Sequence, residues 1–354
     1  MTDVHVREDR EVTDNPLGLN GFEFVEFTSP DPDAMARQFE QLGFVATHRH
    51  PSKAITRYKQ GRINLMLNRD ETGRVAAFRE AHGPSASAMA FRVSDPARAL
   101  EWALAHGGER TDEDDTVIQG IGGSYLYFIQ DGTDLYADWQ EIPGWQQAEA
   151  ENNVGLDLLD HLTHNVRRGQ MRVWSEFYRT LFGFEEQKYF DIKGKATGLF
   201  SQAMIAPDKA IRIPLNESQD DNSQIEEFIR QYHGEGIQHL ALTTEDIFDT
   251  VERLRARGVK LQDTIETYYE LVDKRVPGHG EDLERLKKNR ILIDGNVGEE
   301  GILLQIFTEN MFGPIFFEII QRKGNEGFGN GNFQALFESI ELDQIRRGVI
   351  KVEE

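Results

Sequence analysis

The chain has 354 residues, enough for two domains of ordinary size, and a formal net charge of −22 at pH 7. This acidity argues against binding to nucleic acid and to anionic membranes, because both bind basic surfaces. Cysteine is absent, so disulfides and thiolate metal sites are excluded, and a transition metal would have to use histidine and carboxylate ligands.

The N-terminal stretch MTDVHVREDREVTDN is polar and acidic, and it contains no apolar segment that could serve as a signal peptide. No apolar run in the chain approaches the length of a membrane span. We therefore expect a soluble cytoplasmic protein with no membrane partner.

Strands alternate with two helices in the first half of the chain. Short runs rich in aromatic and branched residues predict strands at Phe22–Phe27, Ile55–Tyr58, Ile63–Leu67, Met89–Val93, Tyr125–Ile129 and Leu135–Trp139. Apolar residues at helical spacing predict two helices, which end at Gly43 and Gly107 because glycine accepts the left-handed conformation at a helix terminus.

The same order returns in the second half. Strands are predicted at His161–Val166, Gly198–Ile205, Ala210–Pro214, His239–Thr243, Ile302–Phe307 and Ile315–Ile320. Two further helices are predicted to end at Gly183 and Gly258. The chain therefore reads as an α+β protein of four strand–helix–strand modules in two pairs, with domains at 1–151 and 152–354.

One carboxylate lies inside an apolar run, because Glu318 is flanked by phenylalanine and isoleucine on both sides. A buried charge without a partner is costly, so Glu318 must face water, meet a cation or be protonated. Strand alternation alone leaves its face open.

Aligning the two halves points to a metal site in the second. Three strand positions then correspond, pairing Glu23 with His161, Met89 with His239 and Ala137 with Glu318. Two histidines and one carboxylate are typical of non-haem Fe(II) sites, although zinc hydrolases use the same ligands. His164 falls on the opposite strand face from His161, which predicts a surface residue or a residue behind the ligands.

Several segments of the second half resemble the 4-hydroxyphenylpyruvate dioxygenase family, and the four-module layout is that of the vicinal-oxygen-chelate superfamily. The similar segments are LDHLTHNV (159–166), GIQHLALTTEDI (236–247), TYYELVDKR (267–275), ILLQIFT (302–308), FFEIIQR (316–322) and GFGNGNFQALFESIE (327–341). The resemblance implies βαβββ-type modules paired into two barrel-like domains, of which the first holds no metal and serves structure or oligomerisation.

The resemblance also implies an activity. Fe(II) would be held by His161, His239 and Glu318, and a 2-oxo acid would bind it through carboxylate and keto oxygens. Oxidative decarboxylation, ring hydroxylation and side-chain migration would convert 4-hydroxyphenylpyruvate and O2 to homogentisate and CO2, in tyrosine and phenylalanine catabolism. A homo-oligomer, dimeric or tetrameric, is expected.

The resemblance further implies a set of pocket residues. Catalytic roles fall on Ser201, Asn216, Gln224 and Gln305, and substrate-binding roles fall on Phe307, Phe316, Phe328 and Phe333. Without the resemblance, core packing would explain each phenylalanine, since the chain has 22 of them. A glycine-rich stretch before Phe333 suggests a C-terminal lid helix, although a structural cap over the sheet fits the same pattern.

Two alternatives remain at this point. The sister enzyme 4-hydroxymandelate synthase shares the metal and the substrate but hydroxylates the benzylic carbon. A binding protein on the same fold, without metal or with zinc, belongs to a different class. Iron content and oxygen uptake separate the binding protein from the enzymes, and product identity separates the two enzymes.

Overall fold

Two eight-stranded sheets form the scaffold of the computed structural model, which describes residues 15–113, 116–193, 198–332 and 335. The first sheet holds β1 to β8, which are Phe22–Thr28, Val45–Arg49, Ile55–Gln60, Ile63–Asn68, Ser85–Val93, Val117–Gln119, Tyr125–Gln130 and Gln140–Glu141. The second sheet holds β9 to β16, which are Leu156–Val166, Glu185–Lys193, Gly198–Ile205, Arg212–Ser218, Gly236–Thr244, Leu292–Asn296, Gly301–Phe307 and Phe316–Lys323.

The α-helices of the described residues connect these strands. In chain order α1 to α10 are Pro32–Gln41, Gly73–His82, Pro96–Ala105, Trp145–Asn152, Met171–Phe182, Gln224–Tyr232, Ile247–Ala256, Glu266–Glu270, Val272–Arg275 and Leu283–Asn289. No helix among the described residues is long and apolar enough to cross a membrane.

Seven strands follow the same order in both sheets, and the eighth differs, because β8 lies beside β2 in the first sheet and β14 lies beside β15 in the second. The strand orders are β6-β7-β5-β1-β4-β3-β2-β8 and β10-β11-β12-β9-β13-β16-β15-β14. In the first sheet β1 pairs in parallel with β4 and antiparallel with β5, the strand that opens the next module. In the second sheet β9 pairs in the same way with β12 and β13. This repeat confirms the α+β fold of four modules in two curled sheets. The division after residue 151 falls at the end of α4, and we propose it as the domain boundary.

Local sequence explains where the module helices begin and end. Aspartates cap α1, α3 and α7, because the side chains of Asp31, Asp95 and Asp246 accept hydrogen bonds from first-turn amides. Glycines follow the C-termini with φ of 93°, 99°, 72° and 81° at Gly43, Gly107, Gly183 and Gly258. Positive φ is strained for other residues, so these glycines end the helices as the sequence predicts.

The main hydrophobic core lies where the helices and the helix-covered sheet faces of both halves meet. Phe312, from the second half, packs edge-on against Phe27 and Phe39 of the first half, with ring centroids 5.4 and 5.3 Å apart. Phe91 and Phe182 make a similar contact at 5.4 Å. This shared core fixes the two sheets and leaves the inner face of the second sheet free to line a cavity.

Strand register corrects the alignment of the two halves. Ala241 pairs with both His161 and Glu318, and its counterpart Ala90 pairs with Phe24 and Tyr127. In the same way His239 pairs with Thr163 and Phe316, as Ala88 pairs with Glu26 and Tyr125. The counterparts of the three proposed ligands are therefore Phe24, Ala88 and Tyr127. The sequence alignment to Glu23, Met89 and Ala137 is wrong, since the three counterpart positions hold two aromatic rings and a methyl group.

Three sequence predictions need correction or extension. Leu135–Trp139 forms turns instead of a strand, and its Tyr136 is buried with Phe24 and Met66. The strand predicted at Ala210–Pro214 runs from Arg212 to Ser218. Several described elements are not predicted from the sequence, namely β2, β6, β8, β10, β14, α2, α4, α6 and α8 to α10.

His164 is fully buried, so its prediction as a possible surface residue is wrong. It does lie on the opposite face of β9 from His161, where its Nε2 is 2.7 Å from the hydroxyl of Tyr178. Burial lowers the pKa of His164 to about 3, so the ring is neutral at physiological pH.

We expect His164→Ala to weaken folding without removing the metal site. Deleting a buried side chain leaves a cavity, which should cost about 2–5 kcal/mol of unfolding free energy. Denaturant unfolding measures the loss, and metal analysis of the folded protein checks the site. Tyr178→Phe serves as a control that removes only the hydrogen bond, and its loss should be smaller. A variant with unchanged stability or with no bound metal would contradict this assignment.

Candidate metal centre

Three adjacent strands bring the two histidines and the glutamate together. His161 lies on β9, His239 on β13 and Glu318 on β16, all on the inner face of the second sheet. Ala241 lies between His161 and Glu318 in register, and its small side chain leaves room for them. One ligand atom from each residue lies within 4.8 Å of the others, and all three residues are buried. Among the described residues, this is the only such cluster of three potential ligands.

Hydrogen bonds set the orientation of both imidazoles. Nδ1 of His161 lies 2.8 Å from a carboxylate oxygen of Asp160, and Nδ1 of His239 lies 3.0 Å from the side-chain oxygen of Gln238. Both partners are acceptors, so each Nδ1 carries a proton, and Nε2, which faces Glu318, presents a lone pair whenever the ring is neutral. Neutral imidazole with a free Nε2 is the form that binds metals.

The donor set fits a divalent cation. Oε2 of Glu318 lies 3.2 Å from Nε2 of His161 and 3.4 Å from Nε2 of His239. Burial alone would raise the pKa of Glu318, but the two histidines whose Nε2 atoms face it lower that pKa to about 2 when they carry a proton there. The carboxylate is therefore ionised next to a positive partner, which is either a proton on a facing imidazole or a cation bound by both imidazoles and the carboxylate. Such a cation would satisfy all three groups at once.

A buried ion pair supports His161 from behind. Asp160 is 3 % exposed and accepts two hydrogen bonds from Arg322, each of 2.8 Å. Arg212 adds a third contact at 3.3 Å. Burial favours the neutral acid, but Arg322 and His161 hold the pKa of Asp160 far below its usual range. Asp160 is thus a permanent anion that fixes the proton on Nδ1 of His161.

A cavity of about 350 Å³ opens onto the three ligands. Seven of the residues implied by the resemblance line it, and they are Ser201, Asn216, Gln224, Gln305, Phe307, Phe316 and Phe328. The eighth, Phe333, lies outside the described residues, as do Leu336, Phe337 and Ile340 of the suggested lid helix.

Aromatic rings cover the ligands on the cavity side. Phe316 stacks on His239 with centroids 4.8 Å apart, and Phe328 meets His161 edge-on at 5.2 Å. Phe307 contacts Phe316 at 6.0 Å. These walls limit the access of water to the ligands and form an apolar surface that suits an aromatic substrate.

Sequence reasoning missed several residues of this region. The cavity wall also includes Thr163, Gln238, Gln262, Asp263, Thr264, Arg290 and Asn332. Arg290 is a cation in the wall, and its Nε pairs with Asp263 at 2.9 Å. Its position could not be read from the sequence, because Arg290 directly follows α10, a helix that the sequence pattern does not predict. Asp160 could have been found from the sequence, because it is a carboxylate that directly precedes His161, at the start of the predicted strand.

Two family descriptions match the chain. "Hydroxyphenylpyruvate dioxygenase, HPPD, N-terminal" covers residues 13–140. "Glyoxalase/Bleomycin resistance protein/Dioxygenase superfamily" covers residues 158–271. The second range contains His161 and His239.

Individual proteins match over nearly the full length. A 4-hydroxyphenylpyruvate dioxygenase from Pseudomonas aeruginosa is 55 % identical, over 95 % of this chain and 97 % of the relative. The hemolysin VllY of Vibrio vulnificus is 53 % identical, over 95 % of this chain and 98 % of the relative. A mutant 4-hydroxymandelate synthase from Streptomyces coelicolor has a similar structure, with a TM-score of 0.79 at 26 % identity, covering 93 % of this chain and all of that one.

We expect one tightly bound divalent ion per chain, held by His161, His239 and Glu318. Replacing any one of them with alanine should remove the ion, because two remaining ligands bind a metal far more weakly. Metal analysis of the purified variants measures the occupancy, and circular dichroism checks the fold. Glu23→Ala in the first half is the matched control and should keep its metal. Two tight ions per chain, or full occupancy in a ligand variant, would refute the site.

Proposed function

Because the chain belongs to the 4-hydroxyphenylpyruvate dioxygenase family, we propose that it converts 4-hydroxyphenylpyruvate and O2 to homogentisate and CO2 with Fe(II) as its cofactor. The observation that carries this proposal is the buried His161–His239–Glu318 triad at the base of an aromatic-walled cavity. A cavity of about 350 Å³ is of a size that suits a ligand with one aromatic ring.

The reaction needs a metal ion for chemistry that the side chains of the cavity cannot supply. When bound, Fe(II) supplies chelation of the 2-oxo acid and activation of O2, and two histidines with one carboxylate suit this metal. The substrate provides the electrons, since both oxygen atoms enter the products. No second reductant is therefore required.

Side chains of the cavity would orient the ring and the side chain of the substrate. Ser201 and Asn216 are paired across β11 and β12, and Gln224 begins α6 beside them. Their hydroxyl and amide groups can hydrogen-bond a phenol, while Phe307 and Phe316 pack against its ring. Fixing the ring relative to the reacting oxygen selects between ring hydroxylation and attack elsewhere.

Gln305 would keep Glu318 in place during the reaction. Its Nε2 donates to Oε1 of Glu318 at 2.9 Å, which leaves Oε2 directed at the two histidines. A carboxylate held at one oxygen presents the other to the metal in a single orientation. Gln305 thus positions the metal ligand Glu318. It also lines the cavity, so it can contact the substrate directly.

Product analysis tests the reaction. The iron-loaded protein should release homogentisate and CO2 in equal amounts, with one O2 consumed per homogentisate, because both atoms of O2 enter homogentisate and the CO2 comes from the substrate carboxylate. Chromatography with oxygen-electrode measurements gives these ratios. 4-Hydroxymandelate as the main product would assign the sister activity instead. An iron-loaded protein that consumes no O2 with this substrate would refute the proposal altogether.

Asn216→Ala tests the orientation of the substrate. The loss of one hydrogen bond to the bound phenol should lower kcat/KM by about 10- to 100-fold, and the iron content should stay at the wild-type level. Glu217→Gln is the control, because Glu217 lies on the other face of β12 and accepts from the amide of Met171 at 2.8 Å. Steady-state kinetics with both variants decides, and equal kcat/KM for Asn216→Ala and wild type would remove Asn216 from the substrate site.

The homo-oligomer and the cytoplasmic location inferred from the sequence stay predictions. So does the structural role of the first half.

A further inference from the structure

The segment 325–332 delivers Phe328 to the ring of His161, and one guanidinium holds its first part. Arg322 lies on β16, four residues after Glu318. Its Nε and Nη2 donate to the two oxygens of Asp160, and its Nη1 donates to the carbonyls of Asn325 and Gly327 at 2.9 and 2.7 Å. Arg322 therefore binds both the carboxylate behind His161 and the backbone that leads to Phe328.

A chain of hydrogen bonds holds the other end of the segment. Asn332 donates from Nδ2 to the side-chain oxygen of Gln305 at 2.6 Å, and Gln305 in turn donates to Glu318. The hydroxyl of Tyr268 donates to the side-chain oxygen of Asn332 at 2.5 Å, and it accepts from the amide of Ile293 at 2.9 Å. Asn332, Gln305 and Tyr268 are all buried.

The backbone between these two anchors lies in close contact with the side chains of Gln305 and Asp294. A Cβ added to Gly329 would lie 1.6 Å from Oε1 of Gln305, and one added to Gly331 would lie 2.0 Å from Oδ1 of Asp294. Gly329 also has a φ of 73°. The segment can reach this position only with glycine there, and only while Gln305 keeps the orientation in which it holds Glu318.

We propose that Arg322 and Asn332 are positioning residues that couple metal binding at the triad to the docking of segment 325–332 over the cavity. The proposal rests on the metal site of the proposed function. Two ligands, His161 and Glu318, are each oriented by a side chain that also holds this segment, directly or through one partner. Buried hydrogen-bond networks of this kind tolerate few alternative arrangements.

Coupling of this kind works in both directions. A metal that fixes His161 and Glu318 would fix Asp160 and Gln305, and these would favour the docked segment. By thermodynamic linkage the docked segment must then raise the affinity for the metal by the same factor, typically 5- to 150-fold or so. The aromatic wall over the ligands would thus be completed as the metal binds.

Hydrogen exchange with and without a metal tests the coupling. The full-length protein is stripped with a chelator and loaded with Co(II) in the absence of O2 and substrate. In the wild type, Co(II) should slow the exchange of peptides covering 325–332 by about fivefold or more. Unchanged exchange in protein with Co(II) bound would overturn the proposal.

Variants in the two anchors test the reverse direction. Asn332→Ala and Arg322→Gln should weaken Co(II) binding by about 10- to 100-fold, the usual effect of removing a partner of a metal ligand. They should also lose most of the metal-dependent slowing of exchange. Lys323→Gln is the control for Arg322, because it removes the neighbouring charge and only an exposed pair with Glu281.

Gly329→Ala keeps every hydrogen-bonding group and displaces the segment by its methyl group alone. It should reproduce the Asn332→Ala result, and its control is Gly324→Ala, where φ is also positive but the nearest atom is 3.5 Å away. If Arg322→Gln does not fold, Asn332→Ala and Gly329→Ala decide. Wild-type Co(II) affinity in both would refute the coupling. Co(II) binding that survives His161→Ala would instead refute the metal site itself.

Discussion

An ionised carboxylate in a protein interior requires a cation, and this requirement organises the second half of the chain. Three carboxylates are buried within the described residues, Glu26, Asp160 and Glu318. Glu26 pairs with Arg74 at 2.7 Å, and Asp160 pairs with Arg322. Glu318 meets two imidazoles and an amide instead, and an imidazole that binds a metal through Nε2 is neutral. A carboxylate in this setting is costly without a metal ion.

Each half of the chain neutralises a buried carboxylate, and the two halves do so with different cations. Glu26 is the counterpart of Thr163, because it pairs with Ala88 as Thr163 pairs with the ligand His239. Arg74, on α2, forms an ion pair with Glu26. Arg57 lies over the ring of Tyr136 at 3.7 Å and fills more of the first interior. Permanent protein cations therefore close the first sheet, where no substrate could displace them. In the second sheet the cation is exchangeable, and the space around it remains open as a cavity.

Helix ends and module order could be predicted from the sequence because each depends on a local rule. Aspartate caps and left-handed glycines act within a few residues, so the pattern shows them directly. Strand faces could not be predicted, since β5 is buried on both sides and alternation gives no signal there. This is why Met89 was aligned with His239 in place of Ala88. The apolar run at Leu135–Trp139 predicts a strand, because a segment that packs on the face of a sheet contains the same residue types as a strand within it.

The ligands could be proposed from the repeat, but most of the cavity could be predicted only through family motifs. Composition and spacing left zinc, iron and no metal open. The residues behind the ligands were beyond reach for a different reason: Arg322 lies 162 positions from Asp160, and Tyr268 lies 64 positions from Asn332. Contacts over such separations follow from the paired sheets and leave no local pattern in one sequence.

Charge balance gives the site its selectivity for an anion in an acidic protein. The net charge of −22 repels a 2-oxo acid at long range, although salt screens this repulsion beyond about 8 Å at physiological ionic strength. With a divalent ion, two neutral imidazoles and one carboxylate carry a net charge of +1, buried where screening is weak. A bound monoanion cancels it. Arg290, the cation in the cavity wall, is already paired with Asp263. Among the described residues that line the cavity, the metal site is therefore the unbalanced positive charge available to the substrate carboxylate, and a neutral analogue would leave it unbalanced.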